Sequence, residues 1–324
     1  MFKPAGAQTS PKMRHAQRRV FGWRPSTQTW LIVLFLLAGT AVVFQTTAAS
    51  WFSAFNQAAF VEQYLATVQD LQERGEAEFT DATEYNAAVM GSSVLLAAHT
   101  RMPAATDVGG ASQVESYKNS LNINEAGLMG RLQVPAVDID LPIYHGASDD
   151  TLAKGVGHVE GSHLPIGGDN TNAVLTAYRG LPSATMFNRL DELTEGDQIL
   201  VGTYGAVMNY KITDVSSVSA AQSAELVADQ KADHITLVTS SPLVEDAPRI
   251  VVTAERDLPL SSADYAKAVE TPQGAGFPGW LLFLGAAYAA IGLYLWRAGY
   301  TDARNRRIRK VQKVHAKAEK SATS

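Results

Sequence analysis

GLMGRLQVPAVDIDLPIYHGASDDTLAKGVGHVEGSHLPIGG, residues 127–168, is the stretch on which the fold turns. From about Gly127 the chain changes character. Residues 130–146 alternate apolar and polar side chains, the period-2 signature of a half-buried strand. AVLTAYRG (173–180), DQILVGTY (197–204), VMNYKITDVSSV (207–218), HITLVTSS (234–241) and RIVVTAER (249–256) follow at short intervals. Short strands punctuated by Gly, Asp and Pro predict an all-β sandwich or a closed barrel. Gly167-Gly168-Asp169-Asn170 reads as a turn, because no helical pattern opens after it as a phosphate loop requires.

Upstream, Phe60, Val61, Tyr64, Leu65, Val68 and Leu71 recur at three- and four-residue spacing. That predicts a helix, interrupted at a connector containing Gly75, with a second helix from Thr83 to Ala98. RMPAATDVGGASQVES (101–116) is small and polar and reads as a loop. Two apolar runs flank all of this, Thr29–Ala48 and Phe277–Trp296. Each has about the 20 residues a helix needs to cross a bilayer. The first is longer than a signal-peptide apolar core of ~7–15 residues, which favours an uncleaved anchor.

Residues 1–24 carry six Lys/Arg and no acid, and residues 297–324 carry nine against Asp302 and Glu319. Basic flanks stay cytoplasmic, so both termini are expected inside and residues 50–276 outside. That outer segment keeps twelve of the 27 basic residues and thirty of the 32 acids, a net charge of about −18. So acidic a surface argues against nucleic acid as a partner. The chain has no cysteine. Disulfides, thiolate metal sites and cysteine nucleophiles are therefore excluded.

The barrel-like region resembles the class C, pilus-assembling sortases. The similarity runs through residues 127–168, then NAVLTAYRGLPSATMFNRLDELTEGDQILV (172–201), then HITLVTSSPLVEDAPRIVVTAER (234–256). It implies a mostly β fold: a closed sortase-type β-barrel with short helices, an N-terminal helical stalk and two transmembrane helices. The implied layout is a basic cytoplasmic N-terminus (1–28), a span (29–48), stalk and loop (49–114) and the barrel (115–256). A linker (257–276), a second span (277–296) and a basic cytoplasmic tail (297–324) follow.

Such sortases are cysteine transpeptidases of Gram-positive surfaces. They cleave a Leu-Pro-x-Thr-Gly type sorting signal and pass the acyl group to a pilin lysine. The resemblance places the family's cysteine at Ser240, in Thr236-Leu237-Val238-Thr239-Ser240-Ser241-Pro242. It places the histidine at Tyr178, in Thr176-Ala177-Tyr178-Arg179-Gly180-Leu181, and the arginine at Arg249. Only Arg249 is retained. A serine hydroxyl is a poor nucleophile without an adjacent base. A tyrosine is mostly protonated at pH 7 and is a weak base. Glu245 and Asp246, in a loop unlike the family's, add two acids beside Arg249. Two changed catalytic positions and a rewritten loop point to natural loss rather than an engineered trap.

The expectation is a catalytically inactive sortase relative in the cell membrane, with no cofactor and no metal site. Its partners would be a sorting-signal peptide, pilin subunits or an active sortase. One alternative is a working transpeptidase with Ser240 as nucleophile and His163 as replacement base. Another is a scaffold whose groove is unused. His158 reads as structural, His145 as a turn residue and His234 as surface. The family's Asp-Pro-aromatic lid motif is missing from residues 99–116.

Overall fold

The computed structural model describes residues 22–89, 94–95, 111–124, 126–181, 184–219, 225–226, 232–241, 248–272, 274 and 276–322. The chain forms two compact units, residues 45–278 and a second made of 1–44 with 279–324.

In the larger unit, two short strands, β1 (Val94–Leu95) and β8 (Glu225–Leu226), pair with each other outside the main sheet. The other eight strands close a barrel. They are β2 (Leu128–Val134), β3 (Ile139–His145), β4 (Val156–His158), β5 (Thr171–Tyr178), β6 (Gln198–Thr203), β7 (Ala206–Val218), β9 (Asp233–Ser240) and β10 (Arg249–Arg256). The strand order is β10-β7-β6-β2-β3-β4-β5-β9, closing back onto β10. Pairs β3–β4 and β5–β9 are parallel, and the remaining neighbours are antiparallel. Strand parity sorts the side chains. Ala173, Leu175 and Ala177 of β5, Ile235 and Leu237 of β9, and Ile250, Val252 and Ala254 of β10 all enter the main core.

The same parity carries Thr171, Asp233 and Arg256 inward at one end of the barrel. Asp233 accepts hydrogen bonds from the Gly168 amide (2.9 Å) and the Tyr210 hydroxyl (3.2 Å). The Arg256 guanidinium lies over the Tyr210 ring at 5.3 Å, a cation–π contact. The Gly167–Gly168 turn closes over this plug. Gly167 has φ +75°, and a Cβ there would press on the Asp233 and Arg256 side chains, so only glycine fits.

Helix α1 (Thr27–Val89) is continuous, unlike the interrupted pair expected from Gly75. Gly75 is buried where the helix passes the Tyr204 carbonyl, which a Cβ would approach to 3.4 Å. A mid-helix glycine costs only ~1 kcal/mol relative to alanine, too little to end a helix that buries a face. Tyr64 packs with Leu128 and Tyr144, and Ala82, Tyr85 and Val89 join the barrel core. Asn86 donates to the Leu164 carbonyl (3.2 Å) and accepts from the Leu164 amide (2.7 Å). The expected stalk is thus, in its later turns, a wall of the barrel domain. Helix α2 (Ala111–Asn119) occupies the end of the stretch expected to be loop. It buries Tyr117, whose hydroxyl meets His158 Nδ1 (3.0 Å) and takes the Gly146 amide hydrogen (2.9 Å).

The expected linker also contains structure. Helix α4 (Ser262–Val269) starts at Ser261, whose hydroxyl accepts from the Asp264 amide. It ends on Arg131, whose side chain is 2% exposed. Arg131 grips Asp140 through two 2.7 Å bonds and donates to the carbonyls of Ala268 (2.9 Å) and Glu270 (2.7 Å). A guanidinium at a helix C-terminus satisfies carbonyls that have no partner within the helix.

In the smaller unit, α5 (Trp280–Ala322) and the first turns of α1 contain the apolar runs. Both helices are long and apolar enough to cross a membrane. The basic N-terminal segment 1–21 lies outside the described residues.

These contacts set two measurable properties. Arg131→Ala leaves Asp140 and two carbonyls without their donor. It should lower the unfolding free energy by about 3 kcal/mol, seen as a shifted urea midpoint. Arg131→Lys should rescue only part, because an ammonium cannot reproduce the bidentate fork. The second property is acid sensitivity. Burial pushes His158 down to about 3, and desolvation also lowers His145 and His163. The unfolded chain then binds protons that the folded chain refuses, so stability falls with falling pH. For His158 the loss runs from about pH 6.5 toward 3 at ~1.4 kcal/mol per unit. Urea unfolding at pH 7, 5.5 and 4.5 measures the slope, and His158→Gln should flatten it.

Candidate functional site

Parallel pairing of β5 with β9 puts Tyr178 directly opposite Ser240, at the C-terminal ends of both strands. The Arg179 amide donates to the Ser240 carbonyl (2.8 Å), extending the ladder one step. Strand β10 runs antiparallel to β9 with Val251 opposite Val238. The same register carried two residues on sets Arg249 beside Ser240. The Ile250 amide donates to Thr239 Oγ1 (2.8 Å) across this strand end. Three positions distant in sequence thus meet on three adjacent strands.

Parity also fixes their side. Ala177 and Ile250 face the core, so Tyr178, Ser240 and Arg249 face the outside of the barrel. Val174, Val238 and Val251 share that outer face and form a separate apolar cluster with Val159. An outer barrel face is ordinarily solvated, yet Tyr178 is 5%, Ser240 2% and Arg249 3% exposed. This covered outer face, apolar along its length with polar groups at one end, is the candidate groove.

Sequence reasoning missed Asp149, which accepts the Tyr178 hydroxyl hydrogen bond. Asp149 opens the one-turn helix α3 (Asp149–Leu152), capped by Ser148. The signal was present: Ser148-Asp149-Asp150 after the turn at Gly146 is a helix-start pattern. What the sequence could not give is that this turn lies beside the end of β5. Tyr178 is thus a donor to the Asp149 carboxylate.

The histidines lie elsewhere. His163 Nδ1 accepts from the Asn172 amide (3.1 Å), and Asn172 stands opposite His234 at the far end of the β5–β9 ladder. Six residues of strand, ~20 Å, separate that level from Ser240. His163 is therefore not brought to Ser240 as a base. His234, expected at the surface, lies within β9 and is half-buried. His158 is fully buried, with Nε2 near the His163 carbonyl (2.8 Å) and Ser162 (3.1 Å), as a structural histidine would be. His145 closes β3, with ring contacts to the Gly127 (3.1 Å) and Ser120 (2.9 Å) carbonyls. Glu245 and Asp246 lie outside the described residues, as does most of 99–116. Among the described residues no cluster of three metal-ligating side chains occurs. A cavity of about 370 Å³ lies between Gln57 of α1 and Val137, Ile139, Met186 and Arg189. Neither Tyr178, Ser240 nor Arg249 lines it.

Residues 132–257 match the sortase domain family. Sortase D of Bacillus subtilis (strain 168) is 32% identical over 123 residues, 37% of this chain and 59% of that protein. The chain thus spans about three fifths of that relative's length. Among solved structures, sortase C1 from Streptococcus agalactiae superimposes with a TM-score of 0.54 at 30% identity. That match covers 63% of this chain and 100% of that one. Sortase C1 of GBS Pilus Island 1 gives a TM-score of 0.50 at 28% identity, covering 64% of this chain and 94% of that one. With its closed eight-stranded barrel and these matches, the chain belongs to the sortase family.

Proposed function

We propose that this protein is a membrane-anchored sortase relative that binds sorting-signal segments without cleaving them. The carrying observation is the pairing at the strand end: Ser240 stands opposite Tyr178, and Tyr178 gives its hydrogen to Asp149. Acyl transfer needs a nucleophile, a proton acceptor beside it and donors for the oxyanion. Arg249 supplies a donor. A serine hydroxyl is a weak nucleophile without a base, and the tyrosine opposite it is a weak base.

Binding needs less than chemistry does. The Arg249 fork at the end of these strands suits a peptide carbonyl. The Lys/Arg asymmetry of the flanks supports both termini in the cytoplasm and residues 50–276 outside. The partners would be sorting-signal peptides, pilin subunits or an active sortase on the same surface.

The test uses the full-length protein in detergent with a Leu-Pro-x-Thr-Gly type peptide. Intact mass should show neither cleavage product nor covalent adduct, while fluorescence anisotropy of labelled peptide should show saturable binding. Arg249→Ala should weaken that binding at least tenfold. An acyl adduct on Ser240 would sink the proposal in favour of a serine transpeptidase. Absence of peptide binding would favour a scaffold that does not use its groove. The double variant Tyr178→His with Ser240→Cys should gain cleavage, which would show that only the reactive groups were lost.

A further inference from the structure

The smaller unit contains an interaction that its apolar helices do not require. The Asp302 carboxylate on α5 sits at the first turn of α1, where it accepts from the Ser26 amide (2.8 Å) and the Thr29 hydroxyl (2.5 Å). Both bonds end on the same oxygen, Oδ2. Ser26 meanwhile caps its own helix, its hydroxyl accepting from the Thr29 amide (3.1 Å). One turn earlier on α5, the Gly299 carbonyl accepts from the Arg24 amide (3.1 Å). One turn later, Arg306 donates to the Pro25 carbonyl (2.9 Å). A Cβ at Gly299 would overlap the Trp23 ring, so the indole packs directly on the α5 backbone.

Gly299, Asp302 and Arg306 fall at i, i+3 and i+7, one face of a helix. That face meets residues 23–29, the approach to the first apolar helix. The contacts are matched in polarity. A carboxylate meets the positive end of α1, where amides lack helical partners. A guanidinium meets a carbonyl, and an absent side chain meets an aromatic ring. Helix association inside a bilayer has no hydrophobic drive of its own and depends on such close packing and polar contacts.

We propose that Asp302, with Gly299 and Arg306, forms a lock that clamps the start of the first membrane helix to the end of the second within one chain. The first apolar helix is then a permanent half of a membrane hairpin and is retained in the mature protein. The lock rests on the two-span reading, but not on what the groove binds.

The absence of native cysteine makes the test clean. Arg24→Cys and Ala298→Cys are introduced into the full chain, with a protease site between Pro272 and Gly274. Membranes are treated with a short bis-maleimide and cut, and the fragments are separated under denaturing conditions. The lock predicts that the two pieces stay joined at the mass of one chain. Asp302→Asn keeps one acceptor oxygen and should retain the cross-link. Asp302→Leu should reduce its yield at least fivefold. Equal cross-linking yields with and without the Asp302→Leu change would overturn the lock. So would a cross-linked product of twice the chain mass, because that would place the contact between copies. Intact mass of the uncut protein tests retention, and a mature chain lacking residues 22–48 would refute the proposal outright. Peptide binding is measured on the same samples, so failure of the lock and failure of the groove reading remain distinguishable.

Discussion

The parallel ladder between β5 and β9 is the constraint on which this site depends. Parallel strands need a long connection between them, here the chain from Tyr178 through β6 and β7 to Asp233. Once that connection closes, register admits no adjustment, because a one-residue slip would turn every side chain to the other face. Ala173, Leu175 and Ala177 are committed to the core, and Tyr178 is consequently committed to the outer face. The same argument commits Ser240 through Ile235 and Leu237, and Arg249 through Ile250 and Val252. The groove is thus fixed by core residues that never touch it.

A second set of contacts holds that barrel to the rest of its unit. Arg131 joins a barrel carboxylate to the end of α4, so the path of the chain after β10 is fixed. Tyr117 and His158 do the same for α2. These are buried polar contacts with matched partners, and such contacts specify a single arrangement where apolar packing alone would tolerate several. Their consequence is acid sensitivity, since buried neutral histidines resist protonation only while the fold persists.

Much of this was legible in the sequence, and the omissions have physical causes. Alternation around Leu132, Leu175 and Leu237 marked the strands, and the closed barrel followed from the resemblance over residues 127–256. Local strings singled out Tyr178, Ser240 and Arg249, and the strand registers bring the three to neighbouring strand ends. Asp149 was not singled out, because its partner lies 29 residues away and the contact depends on how α3 turns after β3. Gly75 misled because propensity is local, whereas the burial that holds α1 together comes from the barrel. The 257–276 segment looked like a linker because Arg131, on a strand over a hundred residues earlier, supplies the cap that α4 lacks in its own sequence.

The exchange at the groove can be understood from what each replacement leaves unsatisfied. A carboxylate at Asp149 needs a hydrogen-bond donor nearby. An imidazole N–H at position 178 would serve, and so does a phenol, so the change to tyrosine does not strand Asp149. At position 240, on the proposed reading, an oxygen would stand for a sulfur on the same short side chain, leaving little cavity and no new charge. Neither change therefore threatens the ladder that positions it. Arg249 differs, because removing a buried guanidinium would strand whatever partners it holds and cost several kcal/mol. If the proposed loss of chemistry holds, the pair at 178 and 240 would be free to change, while the arginine would be held by the stability of the strand end that buries it.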